Sequence, residues 1–137
     1  MAPIIREFEI EDYERSAQLW QACGIRVDSL DDIRLKQRRD PDLMLVAEVD
    51  GRLVGIVIGA FDGRLGSIHR LAVAEDQRRS GLATQLVEVV ERRLHQKGAR
   101  RLWAWIEGDN AASRALFAGD GYEEWSNVVT VSKSLIE

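Results

Sequence analysis

The stretch AEDQRRSGLATQLVEVVERRLHQKG, Ala74–Gly98, decides how this chain is read. Leu82, Leu86, Val89, Val90 and Leu94 recur at helical spacing and make one apolar stripe. Glu88 stands four residues before Arg92 on the opposite, solvated side, and Gly98 suits a left-handed cap. A long helix is therefore predicted up to Gly98. Its entrance is unusual. Gly81 and Ala83 remove side-chain bulk where the first-turn N–H groups point outward unpaired, and Arg78 and Arg79 add positive charge beside them. Small residues, free amides and the positive end of a helix make an anion site, most naturally for phosphate. Neither the G-x-G-x-x-G of dinucleotide-binding folds nor the Gly-Lys-Ser/Thr of P-loops is present. A helix start with a small-residue cap explains the same residues, so the elements around it have to decide.

Working back from the entrance, Gly66–Val73 reads as the strand that feeds it. Before that strand come Asp62-Gly63, a hairpin turn, and Leu53–Phe61, almost wholly apolar as expected of a strand covered on both faces. Asp50-Gly51 is a second two-residue hairpin signal, preceded by the strand Leu43–Val49. Ser29-x-x-Asp32 resembles a capping box with Asp in place of Glu. A short helix follows, with Leu30 and Ile33 inward and Arg34, Lys36, Arg38 and Arg39 largely solvated, until Asp40-Pro41 ends it. Nearer the start, Ile4–Ile10 alternates as a strand, and Glu11-Asp12 opens a helix whose apolar face carries Tyr13, Ala17, Trp20 and Cys23. Beyond Gly98, Arg101–Ile106 is a fifth strand. A helix separates it from the fourth, so the two should run parallel through a right-handed crossover. Asp109 or Asn110 starts another helix to Ala118, Gly119 or Gly121 ends it, and Val128–Ile136 reads as a last strand.

Composition sets outer bounds. A chain of 137 residues reads as one domain, 1–137, with a sizeable core. A net charge of −4 argues against nucleic acid as the main partner. No apolar run reaches membrane-spanning length, and the N-terminus lacks the basic and apolar regions of a signal peptide, so a cytoplasmic protein with no membrane partner is expected. Cys23 is the single cysteine, which leaves no disulfide framework and no cysteine-based metal site; no metal is expected. Cys23 itself reads as a small buried hydrophobe at a helix end.

Arg78-x-x-Gly81-x-Ala83 after a strand resembles the pyrophosphate-binding signature of the GNAT superfamily of N-acetyltransferases. NAASRALFAGDGY, Asn110–Tyr122, carries a second resemblance: Asn110, Ser113, Phe117 and Gly121-Tyr122 stand at the spacing of that family's other signature. The two motifs come in the family's order, and the likeness covers essentially the whole chain, closest to the small single-domain bacterial members. It implies an α/β (α+β) fold: a mixed, mostly antiparallel central sheet of six or seven strands, helices on both faces, and fourth and fifth strands that are parallel and splayed. It also implies an N-acetyltransferase that passes acetyl from acetyl-CoA, as cosubstrate, directly to a primary amine of a small molecule or peptide. A homodimer is compatible with this.

By the same resemblance, Leu71, Ala72 and Val73 line the pantetheine arm like an added strand, and the Leu71 N–H is the oxyanion donor. Arg78, Arg79, Ser80, Gly81, Leu82, Ala83 and Thr84 hold the pyrophosphate. Asn110, Ser113 and Phe117 complete the cofactor side, although an N-cap is a sufficient structural role for Asn110. One departure matters. Many family members carry a tyrosine where this chain has Phe117, and that hydroxyl is credited with protonating the leaving thiolate. Phenylalanine cannot do it. The thiol of coenzyme A, with a pKa of about 8.5 by analogy with cysteine, can leave as thiolate at modest cost; Ser113 and Tyr122 are the substitutes, with Tyr122 better suited to the core.

An ammonium has no lone pair, so the amine needs a base. His69 on the fourth strand is one candidate. Glu107 at the end of the fifth is another, through water. Against them stand a solvent-facing strand histidine and a helix-entry carboxylate. Trp103 and Trp105 alternate as core or cleft wall, while Trp20 and Trp125 suit packing. Asp28, Asp31 and Asp32 would favour a cationic acceptor, or serve as cap charges. Two other classes stay open: a non-catalytic acyl-CoA-binding or sensor domain, and an interaction module without a cofactor.

Overall fold

The computed structural model describes residues 2–107 and 109–136. A single sheet runs in the order β1-β2-β3-β4-β5: β1 (Ile4–Glu7), β2 (Met44–Val49), β3 (Arg52–Phe61), β4 (Gly66–Val73) and β5 (Leu102–Ala104). The first four are antiparallel neighbours, and β4 pairs with β5 in parallel. Helices α1 (Tyr13–Ala22) and α2 (Leu30–Arg39) cover one face, and α3 (Leu82–Lys97) and α4 (Ala111–Gly119) the other. The expected mixed sheet with helices on both faces is present, but among the described residues it has five strands and not six or seven.

The strand count fails at the C-terminus. Val128–Ile136 makes no ladder, and Val129, Val131 and Leu135 are 84%, 88% and 90% exposed. Alternating β-branched residues fit a strand only when a partner edge satisfies the backbone. β5 is just Leu102–Ala104, shorter than the expected Arg101–Ile106, and pairs on its β4 side. β1 likewise stops at Glu7 and not Ile10: Phe8 still donates to the Met44 carbonyl at 2.8 Å, then the chain turns into a 3-10 segment, Ile10–Asp12.

The double coverage of β3 is legible residue by residue. Val54 and Val57 enter the core beneath α3 with Leu82, Leu86, Val90 and Leu94, whereas Ile56 and Ile58 enter the other core with Trp20 and Ile33. Two glycines let α3 lie close on this strand. A Cβ on Gly55 would stand 2.9 Å from Leu86 Cδ1, and one on Gly59 2.8 Å from Val90 Cγ1; both are nearer than real Cβ contacts come. This close packing fixes the entrance of α3 beside the end of β4. The Asp50-Gly51 turn has positive φ at both residues (49° and 77°), as a two-residue hairpin of this kind requires. The second hairpin is longer: Asp62 donates its N–H to the Leu65 carbonyl while its Oδ1 accepts from the N–H of Arg64 and Leu65.

Candidate active site

The entrance of α3 is built as its residues demand. Gly81 is the N-cap in a left-handed conformation (φ 84°), with no side-chain cap and no acidic residue in the first turn. The amides of Leu82, Ala83 and Thr84 thus begin a helix without intrahelical partners. Arg79 is also left-handed (φ 65°), and Ser80 Oγ bonds back to the Gln77 carbonyl. Arg78 folds its Nε towards the Val73 carbonyl at 3.4 Å. The entrance opens into a cleft of about 1090 Å³ whose walls include Leu71, Ala72, Val73, Arg78, Gly81 and Thr84 from one side and Asn110, Ser113 and Leu116 from the other. Asn110 does act as the N-cap of α4, its Oδ1 accepting from the Ser113 N–H at 3.1 Å. Ser80 and Phe117 are not on this cleft.

Strand β4 is where the cleft continues through the sheet. Its ladder with β5 covers Gly66, Ser67 and Ile68, and the last bond of the seam is Trp105 N–H to the Ile68 carbonyl at 3.0 Å. Past that point the two strands part. On its other edge β4 bulges: Ala72 faces Ile56 and His69 faces Ile58, so Arg70 and Leu71 share the single residue between them, Val57. Arg70 adopts φ 58°, a left-handed conformation that costs about 1–2 kcal/mol for a residue with a Cβ. The extra residue reverses the side-chain alternation, which is why Ile68, Leu71 and Val73 all reach the α3 core while Ala72 faces the other. Trp20, fully buried, donates Nε1–H to the Arg70 carbonyl at 3.0 Å.

A second cleft, about 890 Å³, opens on the α2 side of the split and shares Ile25, Leu71, Glu107, Asn110 and Ser113 with the first. Its walls include Ile33, Ile58, His69, Trp105 and Phe117. Phe117 is buried, edge-on to Tyr122 with centroids 5.0 Å apart; Tyr122 in turn donates to Glu91 at 2.7 Å, a structural engagement that takes its hydroxyl out of both clefts. Lys36, expected to be solvated, is half-buried against Asp40 at 2.8 Å and lines this cleft.

The electrostatics here are specific. His69 sits edge-on to Trp105 (centroids 4.6 Å apart) and shares a 2.6 Å hydrogen bond between its Nε2 and Ser67 Oγ. Burial first, then the nearby charges of Lys36 and Arg70, push its imidazole down to about 4, so it is neutral at physiological pH. Glu107 is held below the usual carboxylate range: the Arg26 N–H bond at 3.1 Å and the charge of Arg70 outweigh the effect of burial. Arg70 reaches both acids. Its Nε and Nη2 bond to Asp28 at 3.1 and 3.0 Å, and its Nη1 to Glu107 at 2.6 Å. Nothing in the sequence pattern pointed to Arg70 or to its pairing with Asp28. The one local signal was the apolar alternation of β4, which breaks at this residue. Of the three loop acids, Asp28 is neutralised in this way, Asp32 lines the second cleft, and Asp31 lines neither.

A sheet split between two parallel strands, with a small-residue helix entrance at the split, is the arrangement the family resemblance implies. The chain belongs to the Acetyltransferase (GNAT) family, whose profile matches residues 4–122. It is 36% identical over 136 residues to an acetyltransferase of Sodalis glossinidius, covering 97% of this chain and 96% of that protein. Among solved structures it is similar to Ard1 from Thermoplasma volcanium (TM-score 0.80, 23% identity, 96% of this chain and 86% of that one). It is also similar to diaminobutyrate acetyltransferase EctA from Paenibacillus lautus, solved with L-2,4-diaminobutyric acid and coenzyme A (TM-score 0.77, 25% identity, 87% of this chain and 74% of that one). Acetyl-CoA is the cosubstrate of this family, and the first cleft suits it: a helix entrance with unpaired amides for phosphates, leading to the exposed edge of β4.

Proposed function

We propose that residues 1–137 work as one transfer domain in the cytoplasm, passing acetyl from acetyl-CoA directly to a primary amine of a small molecule or peptide. The observation that carries this reading is the meeting of two clefts at Leu71, where β4 leaves β5. In it, the first cleft takes the cofactor. Leu71, Ala72 and Val73 pair with its pantetheine arm, the amides at Arg78–Thr84 take the pyrophosphate, and Asn110 and Ser113 close the other wall. The second cleft takes the amine.

The Leu71 N–H, at the bulge, stabilises the oxyanion as the amine adds to the thioester carbonyl. Collapse of that adduct breaks the C–S bond, and the sulfur leaves as thiolate because Phe117 offers no proton. His69 is the better proton acceptor of the two candidates. It takes the proton that the amine nitrogen sheds after adding to the carbonyl: it is neutral, and in the tautomer whose Nε2–H donates to Ser67 Oγ its Nδ1 can accept, whereas both oxygens of Glu107 already accept from Arg70 and Arg26. The neutral amine carries out the attack, so the acidic limb of kcat/KM should follow the amine's own ionisation and not a group near pH 6.5.

The test is a mass-spectrometric screen of amines with isotopically labelled acetyl-CoA. Label should appear on at least one amine in proportion to enzyme. Tight acetyl-CoA binding with no acetylated amine from small molecules or peptide N-termini would instead support a sensor.

A further inference from the structure

Arg70 stands in a conformation that glycine would hold without strain, so the presence of an arginine needs a reason in its side chain. That side chain is about four-fifths buried and committed on two sides: a fork onto Asp28, from the loop between α1 and α2, and a short bond to Glu107 at the end of β5. The same loop is tied twice more. Tyr13 Oη donates to the Asp28 carbonyl at 2.8 Å, and the Arg26 N–H donates to Glu107 Oε2 at 3.1 Å. Meanwhile the Arg70 carbonyl receives the Trp20 indole. The guanidinium therefore ties β4, the α1–α2 loop and the segment after β5 together beside Leu71 and Glu107, two of the residues the clefts share. Its neighbour in sequence, Leu71, supplies the amide there.

We propose that Arg70 is a positioning residue for acetyl transfer: its ion pairs to Asp28 and Glu107 hold the β4 bulge in its left-handed turn and fix the Leu71 amide at the junction of the clefts. This rests on the transfer reading above. It makes Glu107 a member of the latch. It leaves the phosphate-binding entrance, which begins eight residues further on at Arg78, outside the latch.

The test uses Arg70→Asn, since asparagine tolerates the left-handed region but loses both ion pairs, with Arg70→Lys and the isosteric Asp28→Asn beside it. With a confirmed acceptor at saturation, kcat of Arg70→Asn should fall at least about tenfold, and by clearly more than the dissociation constant for CoA rises, because the phosphate-binding entrance stays in place. Arg70→Lys, a cation without the fork, should recover part of the loss, and Asp28→Asn should lie between. The Trp20 indole N–H resonance, assigned with Trp20→Phe, should shift in Arg70→Asn. Should Arg70→Asn not fold, Asp28→Asn carries the same comparison.

A folded variant with kcat within twofold of wild type would reduce the latch to a structural ion pair. A rise only in acceptor KM, confined to acceptors bearing a carboxylate, would make Arg70 a substrate anchor instead. If the wild-type protein acetylates no amine, the transfer reading falls first. An unmoved Trp20 resonance would overturn the latch whatever the activity.

Discussion

In the proposed assignment, the two clefts of this molecule would recognise their ligands in different ways. The cofactor cleft is made mainly of backbone: a left-handed Gly81, the first amides of α3, and the edge of β4 as it leaves β5. The acceptor cleft is made of side chains brought from far apart in the chain, among them Ile33 on α2, His69 and Arg70 on β4, and Trp105 and Glu107 at the end of β5. Backbone recognition needs small residues in a fixed local order, so it leaves a pattern a few residues long. Side-chain recognition needs only that the fold bring suitable groups together. Outside the five residues the clefts share, it can be changed one residue at a time without touching the first cleft.

That contrast can be broken or sharpened by substitution. The largest effect should come from His69→Gln, which removes the proposed proton acceptor. kcat/KM at neutral pH should fall at least about a hundredfold, with the acidic limb still following the amine's ionisation and CoA affinity unchanged by calorimetry. A fall in CoA affinity of the same size would mean the clefts are not separable. Phe117→Tyr should have a smaller effect. The ring lies on the acceptor cleft and not on the cofactor cleft, so steady-state kcat should move by less than about a hundredfold in either direction. A larger gain would show that the natural protein lacks an acid it needs.

The smallest effect concerns stability. His69 is pushed down to about 4 in the folded chain from 6.5, so the unfolded chain takes up the proton first. Wild-type stability should then drop as the pH falls from about 6.5 towards 4. His69→Gln lacks that dependence, and in thermal melts it should gain on the wild type by about 8 °C between pH 7 and 4.5. Parallel melting curves would show that the imidazole is not buried in the neutral state.

The same contrast explains what could be read in advance. The α3 stripe, the Asp50-Gly51 turn and the double coverage of β3 each follow from spacing over a few residues, and the structure places them as expected, save that Val87 and not Val89 is the buried valine beside Val90. So does the small-residue entrance, because Gly81 and Ala83 act through the backbone immediately around them. The last strand did not follow. Val128–Ile136 has the right residue types, but a strand is a pairing, and alternation says nothing of whether an edge is available. Arg70 was missed for a related reason. Its partners Asp28 and Glu107 lie 42 and 37 residues away, and the bulge that orients it appears in sequence only as a break in alternation. Asp28 in the loop and Asp31 and Asp32 in the first turn of α2 were equally open as acceptor-facing charges, and only the fold singles out Asp28.

The most direct test of the account is calorimetric titration of CoA into the wild-type protein and Gly81→Glu. At φ 84° glutamate adds both backbone strain and a negative charge where the phosphates are expected, so the dissociation constant should rise at least about tenfold, or ~1.4 kcal/mol, while far-UV circular dichroism shows a folded chain. An unchanged dissociation constant in a folded Gly81→Glu protein would place the cofactor elsewhere and contradict the division of the site into a backbone-built and a side-chain-built half.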